Sequence, residues 1–403
     1  MRIVLITSVY PSKDATLGTT SVVHFFAKEW MNMGHDVFVI HAKTVFPRGY
    51  YLVGKLFGRH IASRLGYSIA SKCPSEHIEA FDSVNVKRVL LRKYLPHSNF
   101  SQSQIKKALK RIIPSVRDFG VPDCFVGHWS NPQLVLLDSL KKVFRRPTCL
   151  VFHDNDFNYL PRLFGNRYKD LLGNMDLIGF RNFTAERNYE TLYGKPERSF
   201  IAASGVPSSF ISAGKCHSKS FESVSNFIFV GGLLKRKFPC ETIEALSKAF
   251  GKEPFTITII GDGEEKDKIE SLYSNQDSSF KVVLTGRIPR EEIIELLKNA
   301  EVFVMISRNE VFGLVYLEAM ALGCIPVASK NEGLDGIIVD GENGFLCESG
   351  NVDELSCVIN RIRGLSKDHL QTIAAAAKRT ALEYSDTAVA ERYIDELRRI
   401  CRR

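Results

Sequence analysis

Glu301-Val-Phe-Val-Met-Ile306, Ser307-Arg-Asn-Glu-Val-Phe-Gly313, Leu314-Val-Tyr-Leu-Glu-Ala-Met-Ala-Leu322 and, after two residues, Ile325-Pro-Val-Ala-Ser329 decide how this chain folds. The first piece is a short apolar run of strand length, the third is of helix length, and the last is a second strand. Gly313 falls where the chain turns into the helix. A helix start presents unpaired N–H groups and the positive end of the dipole, so it suits a phosphate. Glu310 lies in the loop above that start. Glu318, with seven residues between them, lies about a turn and a half into the helix. A carboxylate accepts two hydrogen bonds from a vicinal diol, so the pair suits two parts of one phosphorylated sugar ligand.

The same alternation runs from end to end. Strand-length apolar runs occur at Arg2–Thr7, Asp36–His41, Val84–Leu91, Cys124–His128, Thr148–His153, Leu177–Phe180 and Ser199–Ala202. They recur at Asn226–Val230, Thr256–Gly261, Lys281–Leu284, Val302–Ile306 and Ile325–Ala328. Helix-period segments separate them. Repeated βα units imply parallel sheets, and 403 residues exceed one ordinary core. The fold class expected is α/β with two doubly wound, Rossmann-like domains. The expected bounds are 1–208, 209–385, and a C-terminal helix at 386–403. The seam is placed at Gly205–Phe210 and the polar stretch Ser212–Ser225.

Composition excludes several classes. The chain is 44% hydrophobic and 25% charged, with no apolar run near the ~18 residues of a membrane span. Met1–Ile6 is too short for a signal peptide and reads as a buried strand. Nine scattered cysteines, an odd number without a C-x-x-C pair, suit a reducing compartment, so a cytoplasmic location is expected.

The net charge of +9 is uneven. Residues 1–208 hold 29 Lys/Arg against 16 Asp/Glu, while the remainder holds 25 against 29. Pro47–Arg64 interleaves aromatic, aliphatic and basic residues. Ile105, Leu109, Ile112 and Val116 share a helical face beside Lys106, Lys107, Lys110 and Arg111. Two readings stay open: peripheral contact with an anionic membrane or lipid acceptor, or amphipathic helices packed on their own domain. No nucleic-acid motif accompanies the charge, so no nucleic-acid partner is expected.

The run around Glu310 and Glu318 resembles the E-x7-E signature of retaining, nucleotide-sugar-dependent glycosyltransferases of family 4, which have the GT-B fold. That resemblance implies a donor site in the cleft between two domains and a last helix that crosses back to the first. Glu318 would hold the ribose. Glu310 would contact the donor sugar and order the Phe312-Gly313-Leu314 backbone. Phe229–Pro239 resembles the family's G-R-L-x-x-x-K-G element. Lys237 matches the Lys that binds the donor pyrophosphate and Gly232 stands where the family has Arg, so either Arg236 reaches the same phosphates from the loop or Lys237 alone supplies the charge. Cations fixed there would stabilise the departing diphosphate.

Other matches follow the chain. The Gly261-Asp-Gly263 turn corresponds to a family turn near base and ribose, where glycine permits close approach. Arg287 and Ile288 occupy the place where the family contacts the nucleobase through backbone groups; the other reading is a simple helix N-terminus. Gly18 belongs to the loop after the first strand, where the family usually has two glycines. His153 is the candidate partner of the donor sugar or its leaving oxygen, and His128 reads as structural. Asp154-Asn-Asp156 spells a D-x-D metal motif. The cationic loop already serves to neutralise phosphate, so no metal and no cofactor beyond the donor substrate are expected. Val339–Leu346 resembles the family's D-G-x-N-G hairpin and reads as structural.

The implied activity is retaining transfer of a sugar from a nucleotide-diphosphate donor to a lipid-linked or saccharide acceptor, in surface-polysaccharide biosynthesis. The alternatives are a nucleotide-sugar epimerase or hydrolase of the same fold, and a non-catalytic scaffold subunit.

Overall fold

A computed structural model describes residues 1–11, 22–65, 74–93, 99–273 and 279–402, with side chains of 57–65 excepted. Gly18 lies outside the described residues. The chain forms two compact units. The first comprises Met1–Phe180, Asn188–Ala202 and Ala390–Arg403, and the second comprises Arg181–Arg187 and Ala203–Val389.

The first unit is built on β1 (Arg2–Thr7), β2 (Asp36–Val45), β3 (His77–Phe81), β4 (Val84–Arg92), β5 (Cys124–His128), β6 (Thr148–Phe152), β7 (Leu177–Phe180) and β8 (Ser199–Ile201). Their order in the sheet is β3-β4-β2-β1-β5-β6-β7-β8. All neighbours are parallel except β3 with β4. β1 is central because Ile3, Val4, Leu5 and Ile6 bury both faces of the strand completely. Each such side chain contributes roughly 1.5–3 kcal/mol of transfer free energy. β3 has no counterpart in the sequence reading. It joins β4 through Asp82 and Ser83, both at positive φ (47° and 70°), so the two-residue turn matches the twist of the hairpin. Asp-Ser is not the Asn-Gly or Asp-Gly pair that advertises such a turn, and β3 is largely exposed.

The helix Gln102–Phe119 begins at Ser101, which accepts the Gln104 N–H while the Gln104 side chain returns to the Ser101 N–H. It buries Ile105, Ala108, Ile112 and Val116 and leaves Lys106, Lys107 and Lys110 exposed. Arg111 is instead paired with Glu76. For this segment the packed-helix reading describes the apolar face, and the lysines form a solvated cationic surface.

The second unit carries β9 (Asn226–Val230), β10 (Thr256–Ile260), β11 (Lys281–Gly286), β12 (Val302–Val304), β13 (Ile325–Ser329) and β14 (Phe345–Cys347). Their order is β11-β10-β9-β12-β13-β14, all parallel. The expected hairpin at Val339–Leu346 is corrected here. The turn is present, held by the Asn343 carboxamide to the Val339 N–H (2.7 Å) and the Ile337 carbonyl (3.0 Å). It delivers β14 into parallel pairing with β13 rather than forming an antiparallel hairpin.

In each sheet the winding reverses once: between β1 and β5 in the first, between β9 and β12 in the second. The crevice outside the carboxyl ends of such strands is where open α/β sheets place ligands. Lys237 follows β9 and Glu310 follows β12, at the second of these places, while His128 ends β5 at the first and His153 follows the neighbouring β6.

Candidate functional site

In the second unit the loop after β9 passes through Gly231 and Gly232 to the short 3-10 turn Lys235–Lys237, and Pro239 then opens a helix. Lys237 folds back over the loop: a Cβ at Gly231 would stand 3.2 Å from its Nζ. Its ammonium lies 3.4 Å from Glu310 Oε2 and 3.7 Å from Met305 Sδ, and both charged side chains are mostly buried. The sequence placed Lys237 and Glu310 in separate motifs 73 positions apart; the fold makes them one ion pair across the switch point.

Three neighbours orient Glu310. The Ser307 hydroxyl donates to its Oε2 (3.2 Å), and its own N–H donates to Glu332 Oε2 (2.7 Å). Arg236 donates to the carbonyls of Arg308 and Asn309 (3.3 Å each), while the Arg308 N–H returns to the Arg236 carbonyl. Arg236 therefore staples the two loops together. Phe312 is buried, and the Arg181 guanidinium lies 5.8 Å from its ring centroid. Gly313 turns the chain into the helix at φ 80°, and a Cβ there would fall 2.7 Å from the Tyr316 ring. The helix Leu314–Ala321 has no side-chain cap at its start; the Tyr316 N–H is taken by the Gly313 carbonyl (3.0 Å), which leaves those of Leu314 and Val315 to a ligand or solvent.

Glu318 is buried on that helix, with one carboxylate oxygen taken by the Arg290 guanidinium. Burial pushes its pKa up, Arg290 pulls it back, and Asp386 adds to the rise. Arg287, the residue picked out for the nucleobase, is exposed one turn before; Arg290 is the one that meets Glu318. Arg290, Glu332 and Ser307 are functional candidates that the sequence reading missed. Arg290 lies three residues beyond Arg287 in the same segment, but nothing local connects it to a glutamate 28 positions on.

The Gly261 turn has a definite structural demand. At φ 145° a Cβ on Gly261 would sit 1.8 Å from the Gly231 carbonyl oxygen, and one on Gly263 would sit 2.4 Å from that of Leu233. The close backbone approach is therefore to the neighbouring loop, which carries Lys237. At Gly232 a Cβ would make only ordinary contact, 3.6 Å from Leu234. The position has room for a side chain, so the missing Arg is a chemical departure and not a steric one.

At the first unit's switch point, His153 Nε2 and His128 Nδ1 are 2.9 Å apart, and Trp129 stacks on His153 with centroids 3.8 Å apart. His153 thus belongs to a buried aromatic group together with His128, which the sequence reading set aside. Asp156 accepts the Ser130 N–H (2.5 Å) and the His153 N–H (3.2 Å). Burial pushes its pKa up to about 7 despite those bonds. One carboxylate of the D-x-D spelling is therefore engaged in closing a turn. Among the described residues no cluster of three His, Cys, Asp or Glu could hold a metal ion.

A second group holds Ser8–Pro11, which follow β1. The fully buried Arg88 donates to Glu79 (Nε, 2.6 Å), to His41 Nδ1 (2.6 Å) and to the Pro11 carbonyl (2.8 Å). The His41 Nε2–H donates to the Ser8 carbonyl (3.1 Å). Tyr10 bonds His24 (2.8 Å), which in turn contacts Asp82 (3.3 Å).

Two doubly wound parallel units with polar groups at both switch points define the GT-B glycosyltransferase fold, and solved structures agree. HepE of Anabaena in complex with UDP aligns with a TM-score of 0.64 at 17% identity, covering 99% of this chain and 100% of that one. Residues 217–379 match the family model described as glycosyl transferases group 1. The uncharacterized glycosyltransferase MJ1178 of Methanocaldococcus jannaschii is 28% identical over 58% of this chain, a stretch spanning 63% of that relative's length. The amylovoran biosynthesis glycosyltransferase AmsK of Erwinia amylovora is 23% identical over 96% of both chains. No helix among the described residues is long and apolar enough to cross a membrane.

Proposed function

We propose that the protein transfers a sugar from a nucleotide-diphosphate donor to a hydroxyl of a lipid-linked or saccharide acceptor, with retention of configuration and without a metal. The observation that carries this reading is the grouping of Lys237, Glu310 and the uncapped start of Leu314–Ala321 at one switch point, with Glu318 in the same helix. Lys237 and the helix start face charge that grows on the departing diphosphate. Glu310 takes donor-sugar hydroxyls, and Glu318 takes the ribose diol. The donor C1–O bond to the diphosphate breaks as the acceptor oxygen bonds to C1 on the same face. The acceptor proton passes to a diphosphate oxygen. His153, held by His128 and Trp129, serves as a hydrogen-bonding partner of the sugar.

The likeness to AmsK supports surface-polysaccharide biosynthesis as the setting. A lipid-linked acceptor and peripheral contact with an anionic membrane on its cytoplasmic side draw support from the helix Arg48–Leu65. Its Leu52, Val53 and Leu56 are 58%, 44% and 64% exposed beside Arg48 and Lys55, while Tyr51 is buried on the other face. An apolar stripe flanked by cations suits a headgroup layer.

The test is turnover with a panel of nucleotide sugars and lipid-pyrophosphate acceptors. Product from the wild type, lost in Glu310→Ala and Glu318→Ala, is expected. No product from any pair, with both variants binding nucleotide as well as the wild type, would refute the reading.

A further inference from the structure

We propose that Arg290 is a positioning residue of the donor site, which orients Glu318 and keeps it in the acceptor form that a ribose diol requires. The inference rests on the donor reading above and adds a residue to it.

Glu318 and Arg290 come from different elements. Glu318 is inside the helix Leu314–Ala321, with its side chain 8% exposed; Arg290 is the first residue of the helix Arg290–Asn299, with its side chain 48% exposed. The guanidinium is fixed on two sides. It donates through Nη2 to Glu318 Oε1, and it lies 5.6 Å from the ring centroid of Phe210, on a helix packed against that of Glu318. Among the described residues no donor reaches the other oxygen, Oε2. One oxygen is thus held by the protein and one is left for a ligand.

The chemistry of a diol makes this arrangement matter. Two vicinal hydroxyls donate two hydrogen bonds, and the ionised carboxylate has lone pairs for both beside the bond from Arg290, with no proton of its own to compete. Burial favours the protonated form, which turns one oxygen into a donor, and the charge of Asp386 pushes in the same direction. Arg290 is the cation that meets this carboxylate. It counters both effects, and its planar fork fixes the carboxylate plane as an ammonium would not. A solvated surface pair would do neither, because screening leaves little energy in it.

The experiment is calorimetric titration of wild type, Arg290→Ala, Arg290→Lys and Glu318→Gln with uridine, guanosine and adenosine diphosphates, from about pH 5 to about pH 8. Glu318 must be ionised to act, so wild-type affinity holds at the upper end and falls as pH drops through the carboxyl's pKa. In Arg290→Ala that fall is expected to move to higher pH, with affinity weakened about tenfold or more in the acid half of the range. Arg290→Lys should lie between, which also guards against loss of folding in the alanine variant. Glu318→Gln should lose the transition. An Arg290→Ala profile with the wild-type midpoint overturns the proposal and leaves the donor reading standing. Failure of the wild type to bind any of the three diphosphates overturns both.

Discussion

The two switch points differ in what they offer a ligand. In the second unit the groups that converge are charged: Lys237 against Glu310, and Arg290 against Glu318. In the first unit the strand ends carry imidazoles, an indole and amide or hydroxyl groups: His128, His153, Trp129, and the Gln133–Ser8 pair at 2.7 Å. Its charge is buried in Arg88, which holds Pro11 after β1. One crevice is thus equipped to balance a developing anion, and the other to shape a neutral partner and hold a loop. In the first unit, charge is a structural anchor; in the second, on the proposed reading, it is the working part.

The largest effect expected from this contrast is on turnover. Lys237→Ala should lower kcat/KM by about 10²–10³, as loss of a transition-state donor does, with a smaller loss of unfolding free energy than Arg88→Met, since Glu310 keeps the Ser307 hydroxyl. Steady-state kinetics beside urea unfolding checks it. Arg88→Met should do the reverse. It leaves Glu79 without its buried partner and the Pro11 carbonyl without a donor, at a cost of roughly 3 kcal/mol in stability. Urea midpoints measure this.

Gly261→Ala sharpens the contrast within the second unit. Its Cβ would collide with the Gly231 carbonyl, so the loop bearing Lys237 must shift. A loss of about 2 kcal/mol is expected, together with weaker nucleotide binding, since strained positive-φ positions cost on this order. A thermal melt and a titration read the two parts separately.

The smallest effect is a pH dependence. Burial, with the charge of Arg88, pushes the His41 pKa down to about 3. The unfolded chain therefore takes the proton first, and the stability His41 gives by staying neutral is present above the ordinary imidazole pKa and lost as pH falls. Between about pH 7.5 and pH 5.5 this should amount to on the order of 1 kcal/mol. His41→Gln should remove that share of the slope in urea unfolding.

How much could be read beforehand follows from the range of each signal. β1 and β13 are apolar runs of strand length, and Gly313 stands between such a run and a helix, so their roles are written locally. The helix Leu314–Ala321 ends one residue short of its expected end. β3 and β14 escaped because one is exposed and short of apolar residues, and the other is three residues long. The pairing of Lys237 with Glu310, of Arg290 with Glu318, and of Glu332 with the Glu310 N–H depends on loops brought together by sheet order. No spacing along the chain encodes that order. Arg88 illustrates the same limit in the first unit: on its strand it reads as one more basic residue, and only the fold buries it.

Titration of the wild type and of Lys237→Ala with nucleoside diphosphates reports on the charged crevice without requiring the acceptor to be known. The account predicts that at least one diphosphate binds the wild type and raises its melting temperature, and that Lys237→Ala weakens that binding about tenfold or more. Equal binding by both proteins, or none by either, would contradict it.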